Sequence, residues 1–165
     1  AGHETTASAI AAGLVLLIEH PDQMALVRQA PSLLPNMVEE VTRLATPTQN
    51  MWRVATRDCK LGDFEVSKGD FIFVRYAAAN RDPAHFPDPD RFDLRRKNAS
   101  EHLAYGHGIH FCIGAMLARK EMLIAFRTLL SRLGGLQLAP NQTLTHKPNM
   151  LLRGLSDFEL EFRAL

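Results

Sequence analysis

The apolar residues change rhythm twice along the chain. In Ala1–Glu19, Ile10, Leu14, Leu17 and Ile18 recur at helical spacing, which predicts an opening helix. His20-Pro21 ends it, and a proline is well placed in a first turn, so a second short helix is predicted over Pro21–Gln29. Pro31 breaks that one, and Leu34, Met37, Val38, Val41 and Leu44 mark one side of a third helix over Leu34–Leu44. Then β-branched and aromatic residues take over in Met51–Thr56, Lys60–Val66 and Asp70–Tyr76, around turns at Gly62-Asp63 and Lys68-Gly69. These read as short strands, at least two of them a hairpin. Ala77–Arg81 suits one helical turn, and the prolines and charges of Asp82–Arg96 suit an ordered, irregular meander. Residues 100–112, with His102, His107, His110, Gly106 and Gly108, do not suit regular structure throughout. The rhythm returns to helical in Ile113–Leu133, with Gly134-Gly135 as the expected C-cap. Gln137–Ala139, Asn149–Arg153 and Phe158–Phe162 read as closing strands. The expected fold class is mainly α with small β sheets.

Composition narrows the function classes. The chain has 165 residues, 46% apolar and 22% charged, which suits one globular domain with a real core and excludes wholesale disorder. A formal charge of +1 gives no electrostatic footprint for nucleic acid. Two cysteines, Cys59 and Cys112, make no disulfide framework and fit a reducing compartment. The uncharged run Ala7–Ile18 is too short to span a bilayer, so no membrane segment is expected here. The chain does not open with Met, and its first residues run straight into a helical pattern, so it reads as a piece of a longer protein.

Three constellations carry chemistry. The first is Tyr105-Gly106-His107-Gly108-Ile109-His110-Phe111-Cys112-Ile113-Gly114, a cysteine in a glycine-rich loop just before a helix. A helix N-terminus favours a thiolate, which is a soft ligand for iron, and glycines let backbone approach a large flat ligand. A buried structural cysteine is the plainer reading of these residues, and Cys59 is read as structural. A zinc site of His102, His107, His110 and Cys112 has suitable ligand types but poor spacing. The second is Glu40-Val41-Thr42-Arg43, whose acid and base share a helix face and make either an ordinary ion pair or a buried clamp. The third is Ala1-Gly2-His3-Glu4-Thr5-Thr6, an acid beside two hydroxyls that could relay protons or could be plain polar helix residues.

Taken together and in this order, these segments closely resemble the cytochrome P450 family of heme-thiolate monooxygenases. The loop is similar to its heme-binding signature, with Tyr105 where Phe is usual. Glu40 to Arg43 resembles its Glu-x-x-Arg helix, and Pro89-Asp90-Arg91-Phe92 its meander, whose Arg91 would join Glu40 and Arg43 in a triad. Ala1 to Thr6 resembles its oxygen-binding helix, with Glu4 and Thr5 in the catalytic acid and hydroxyl positions. The resemblance implies heme b (iron protoporphyrin IX) ligated by Cys112, with Arg53 and His110 at its propionates and Gly106 and Gly114 close to it. It further implies insertion of one atom of O2 into a small hydrophobic organic substrate, with electrons from NAD(P)H through a ferredoxin-type or flavin redox partner. The style of the loop is most similar to soluble bacterial members, which implies a bacterial cytoplasmic location. Family members are more than twice as long, so residues 1–165 correspond to the C-terminal part of one such domain, without its N-terminal half. The isolated chain is then expected to be inactive, and a truncated, non-catalytic product is the alternative reading.

Overall fold

The computed structural model describes residues 2–165; Ala1, the first residue of the predicted opening helix, lies outside the described residues. Helix α1 runs Glu4–Glu19, α2 Pro21–Gln29 and α3 Leu34–Ala45. Strands β1 (Asn50–Val54), β2 (Cys59–Leu61), β3 (Phe64–Val66) and β4 (Phe71–Arg75) follow, then the short α4 (Tyr76–Ala79). Beyond the meander and the cysteine loop come α5 (Ala115–Arg132), β5 (Leu133–Leu138) and β6 (Leu160–Ala164). The described residues are helix-rich with small antiparallel sheets: β1 with β4, β2 with β3, and β5 with β6.

The core lies where α1, α3 and α5 meet. All five apolar residues predicted on one side of α3 are buried, and they pack with Leu14 and Leu17 of α1 and with Met122 and Phe126 of α5. Each such side chain removed from water contributes about 1.5–3 kcal/mol. The helices approach so closely that a Cβ on Gly13 would collide with the Phe126 ring and crowd Val41.

Local order departs from the sequence reading at several element ends. Gly134-Gly135 do not cap α5. Its end is held instead by Arg28, whose guanidinium donates to the carbonyls of Leu130 and Leu133, a cation at the negative end of the helix. The two glycines enter β5, where the pairing with β6 shifts register after Gly134 and Gly135 takes φ 58°. The predicted strand Asn149–Arg153 is only a single bridge, Thr48 to Leu152. The last strand begins at Leu160 rather than Phe158.

A buried ion cluster ties the meander to α3. Glu40 and Arg43, both fully buried, pair through two bonds of 2.8 and 2.9 Å. The third member is Arg96, whose Nε donates to Glu40 Oε1 at 3.0 Å. The expected Arg91 has an exposed side chain and contributes only its carbonyl, which accepts from Arg43 and Arg96. Phe92, Leu94 and Arg96 are buried while Arg91 and Arg95 are exposed; the turn in which the Arg96 N–H donates to the Asp93 carbonyl brings Arg96, rather than Arg91, back to Glu40. Two guanidiniums against one carboxylate leave a net positive charge. The carbonyls of Asn80, Pro87, Asp88 and Pro89 offset it by accepting the remaining N–H groups.

A second cluster joins α3 to α5. Glu39 accepts from Arg119 at 2.6 and 3.0 Å and meets the His102 ring at 3.2 Å. Burial alone would raise the Glu39 pKa, but the bonds to His102 and Arg119 outweigh it and hold the carboxyl at about 2 against an ordinary 4.5.

Two outcomes are expected. Glu40→Ala leaves two buried guanidiniums unpaired, and urea unfolding should show a loss of about 3–5 kcal/mol; unchanged unfolding would make the cluster an ordinary surface contact. The Glu39 pKa is lower folded than unfolded, so its contribution is complete above the unfolded value and is lost as pH falls from 4.5 to about 2. Glu39→Gln should therefore flatten the dependence of the urea midpoint on pH across that window, and an unaltered slope would count against the cluster.

Candidate functional site

One cavity, of about 570 Å³, gathers most of the residues singled out in the sequence. Its walls come from α1 (Thr5, Thr6, Ala9), from β1 (Met51, Arg53) and from Tyr76 at the start of α4. The cysteine loop supplies Tyr105, Gly106, His110, Cys112 and Gly114. The chain reaches this arrangement because α3 and the meander fix the back of the loop. Asn80, fully buried, accepts the N–H of Leu103 at 2.7 Å, while its own carbonyl accepts from Arg43.

The loop folds back on itself. Gly106 takes φ 72°, and a Cβ there would stand 3.3 Å from the His110 carbonyl oxygen, so both conformation and space require glycine. The Cys112 N–H donates to the Tyr105 carbonyl at 2.8 Å, closing the loop across seven residues. The helix starts at Ala115, later than Ile113, and Cys112 precedes it with its thiol exposed. Gly114 is the N-cap, and a Cβ on it would lie 3.8 Å from Cys112 Sγ.

The Tyr105 ring sits behind this turn. The Arg119 guanidinium lies 4.5 Å from its centroid, within reach of a cation–π contact. Thr42 is the polar neighbour of its hydroxyl, and burial, the largest influence, raises the phenol's pKa, so the hydroxyl stays protonated. Sequence reasoning singled out neither Glu39 nor Arg119. They lie 80 positions apart, and the double acid Glu39-Glu40 was the one available signal.

Other candidates fall elsewhere. Glu4 does not line this cavity; it is exposed beside a second one, of about 480 Å³, between α1 and residues 147–158. Successive helical residues differ by about 100°, which turns Glu4 outward and Thr5 inward. Thr6 is more buried than Thr5, and both reach the cavity wall. The zinc set does not assemble: His102 is buried against Glu39, and among the described residues no three His, Cys, Asp or Glu side chains converge on a metal position. Cys59, read as structural, lies exposed in the β2–β3 hairpin and does not line the large cavity.

The large cavity fits the heme that the loop motif implies. A thiol with free access opens onto it, its walls are mainly apolar, and Arg53 and His110 at its edge suit carboxylates.

Comparison with known proteins agrees. The family model for cytochrome P450 matches residues 1–161. The cytochrome P450 monooxygenase PikC of Streptomyces venezuelae is 45% identical over 166 residues, covering 99% of this chain and 39% of that protein. The biotin biosynthesis cytochrome P450 of Bacillus subtilis is 39% identical over 162 residues, covering 98% of this chain and 40% of that protein. A substrate-free cytochrome P450 of Mycobacterium marinum superposes with a TM-score of 0.94 at 33% identity, covering 98% of this chain and 41% of that one. The chain spans about a third to two fifths of the length of the curated relatives it matches. No single helix among the described residues is long and apolar enough to cross a membrane. With the loop, the buried Glu-x-x-Arg clamp and the fold in agreement, the chain belongs to the cytochrome P450 family.

Proposed function

We propose that this chain is the heme-thiolate part of a monooxygenase that inserts one atom of O2 into a small hydrophobic organic substrate. Electrons reach it from NAD(P)H through a ferredoxin-type or flavin redox partner. The observation that carries the reading is the exposed Cys112 thiol at the end of a closed, glycine-rich loop, opening on a mainly apolar cavity walled on another side by Thr5. Bound heme supplies the iron and oxygen chemistry, and a thiolate ligand favours O–O cleavage.

The chain's own residues do the rest. Cys112 would ligate the iron, and Arg53 and His110 would hold the propionates by charge and hydrogen bonding. Arg53 is half-buried and already satisfies one N–H on the Trp52 carbonyl, at 2.9 Å, leaving further donors free for an anion. Gly106 and Gly114, which line the cavity without side chains, would leave room for a large flat group. The Thr5 hydroxyl would hold a water at the wall of the large cavity, and Glu4, the preceding residue, which lines the second cavity, would resupply its proton from that side. The apolar walls exclude other water from the substrate.

A second reading concerns the 165 residues alone, which we read as non-catalytic. Met116 and Ile124 of α5 are exposed and do not line the large cavity, which suits a surface built to be covered.

Two tests follow. The reduced carbonyl complex of the full-length, heme-loaded protein should absorb near the wavelength that names the family. Cys112→Ser should abolish that band and Cys59→Ser should keep it; survival of the band in Cys112→Ser would refute the ligand assignment. The isolated 165 residues should not give the band, and a full band from them would refute the second reading. For proton delivery, Thr5→Ala should consume NAD(P)H and O2 with little product and mainly peroxide, whereas Thr6→Ala should stay coupled. The ratio of product to NAD(P)H consumed is the readout, and the opposite pattern would move the role to Thr6.

A further inference from the structure

We infer that Arg119, clamped by Glu39, is a positioning residue of the Cys112 site that also turns the positive end of an oriented ion pair toward the thiolate. The inference rests on the reading of Cys112 as the iron ligand. Cys112 is held through Tyr105, whose carbonyl accepts its N–H at 2.8 Å. Tyr105 is in turn held on its ring, with the Arg119 guanidinium 4.5 Å from the centroid and the His102 ring at 5.4 Å. Arg119 is fixed because two of its nitrogens donate to both Glu39 oxygens, a planar two-pronged arrangement that a lysine cannot reproduce. Glu39 is itself anchored on α3 and shared with His102, which also accepts the Ala104 N–H at 3.2 Å.

The pair is neutral as a whole, but it is not symmetric toward the cysteine. Of its two members, the guanidinium lies over the ring of Tyr105, the residue whose carbonyl holds the Cys112 N–H, while the carboxylate is taken up by Arg119 and the His102 ring. Tyr105 and Arg119 are both partly shielded from water, so the guanidinium charge is screened less than at an open surface. A positive charge near the thiolate favours the state with one more electron on the metal, and a fixed ring behind the loop keeps the sulfur in place. Outer groups of this kind typically change metal binding by 10–100-fold.

The test uses the full-length, heme-loaded protein. Arg119→Gln should lower the midpoint potential. It should also speed the loss of the thiolate-specific carbonyl band in mild denaturant by about tenfold. Arg119→Lys, which keeps the charge but not the two-pronged clamp, should return the potential toward that of the parent while the band still decays faster. A purely structural role would not move the potential and restore it with lysine. An unchanged potential in Arg119→Gln that retains its heme overturns the inference. Should that variant fail to hold heme, Arg119→Lys decides: faster decay of the band supports the inference, and decay at the parental rate overturns it. Absence of the band in the parent protein would instead overturn the reading of Cys112, and this inference with it.

Discussion

Glu40 is a carboxylate with no access to water, and two guanidiniums converge on it. Burying three charges is costly, and it is sustained here because the guanidiniums of Arg43 and Arg96 donate to Glu40, to the Asn80 carbonyl and to the meander carbonyls of Pro87, Asp88 and Pro89. The meander therefore has no freedom to leave α3. The constraint propagates: Arg43 donates to the Asn80 carbonyl, the Asn80 side chain bonds Thr46 at 2.8 Å and receives the Leu103 N–H, and Leu103 opens the segment that becomes the cysteine loop. A path of buried hydrogen bonds thus runs from one α3 carboxylate to the base of the ligand loop.

The adjacent Glu39 works on the other end of the same loop. It sits beside Glu40 in sequence but faces α5 rather than the meander, since one residue along a helix turns the side chain by about 100°. Between them, consecutive acids on α3 pin the start of the loop and the ring behind the cysteine. Helix α1 shows the same economy. Its apolar side enters the core so closely that Gly13 admits no side chain, and its Glu4 and Thr5 are divided between two cavities.

Much of this was legible in the sequence where a single local rule governs the outcome. The apolar side of α3, the strands around β1 to β4 and the loop at Tyr105–Gly114 follow from periodicity, turn residues and motif spacing. The motif pointed to Arg91 because it counts residues and ignores which way they face; Arg96 reaches Glu40 through a turn at Asp93–Arg96 that no local periodicity announces. Other features depend on segments that meet only in three dimensions. Arg28 caps a helix end 102 positions away, so nothing near Gly134-Gly135 announced that the glycines were free to enter a strand. The pairing of Glu39 with Arg119 and the placing of Glu4 outside the large cavity belong to the same class.

The claim on which the rest turns is that the Cys112 sulfur is bound to iron. X-ray absorption at the iron edge of the full-length, heme-loaded protein reads the ligands of the metal directly. One sulfur scatterer beside the ring nitrogens is expected, present in the parent and in Cys59→Ser and lost in Cys112→Ser. A first shell of nitrogen and oxygen alone in the parent, or a sulfur that persists in Cys112→Ser, would contradict it.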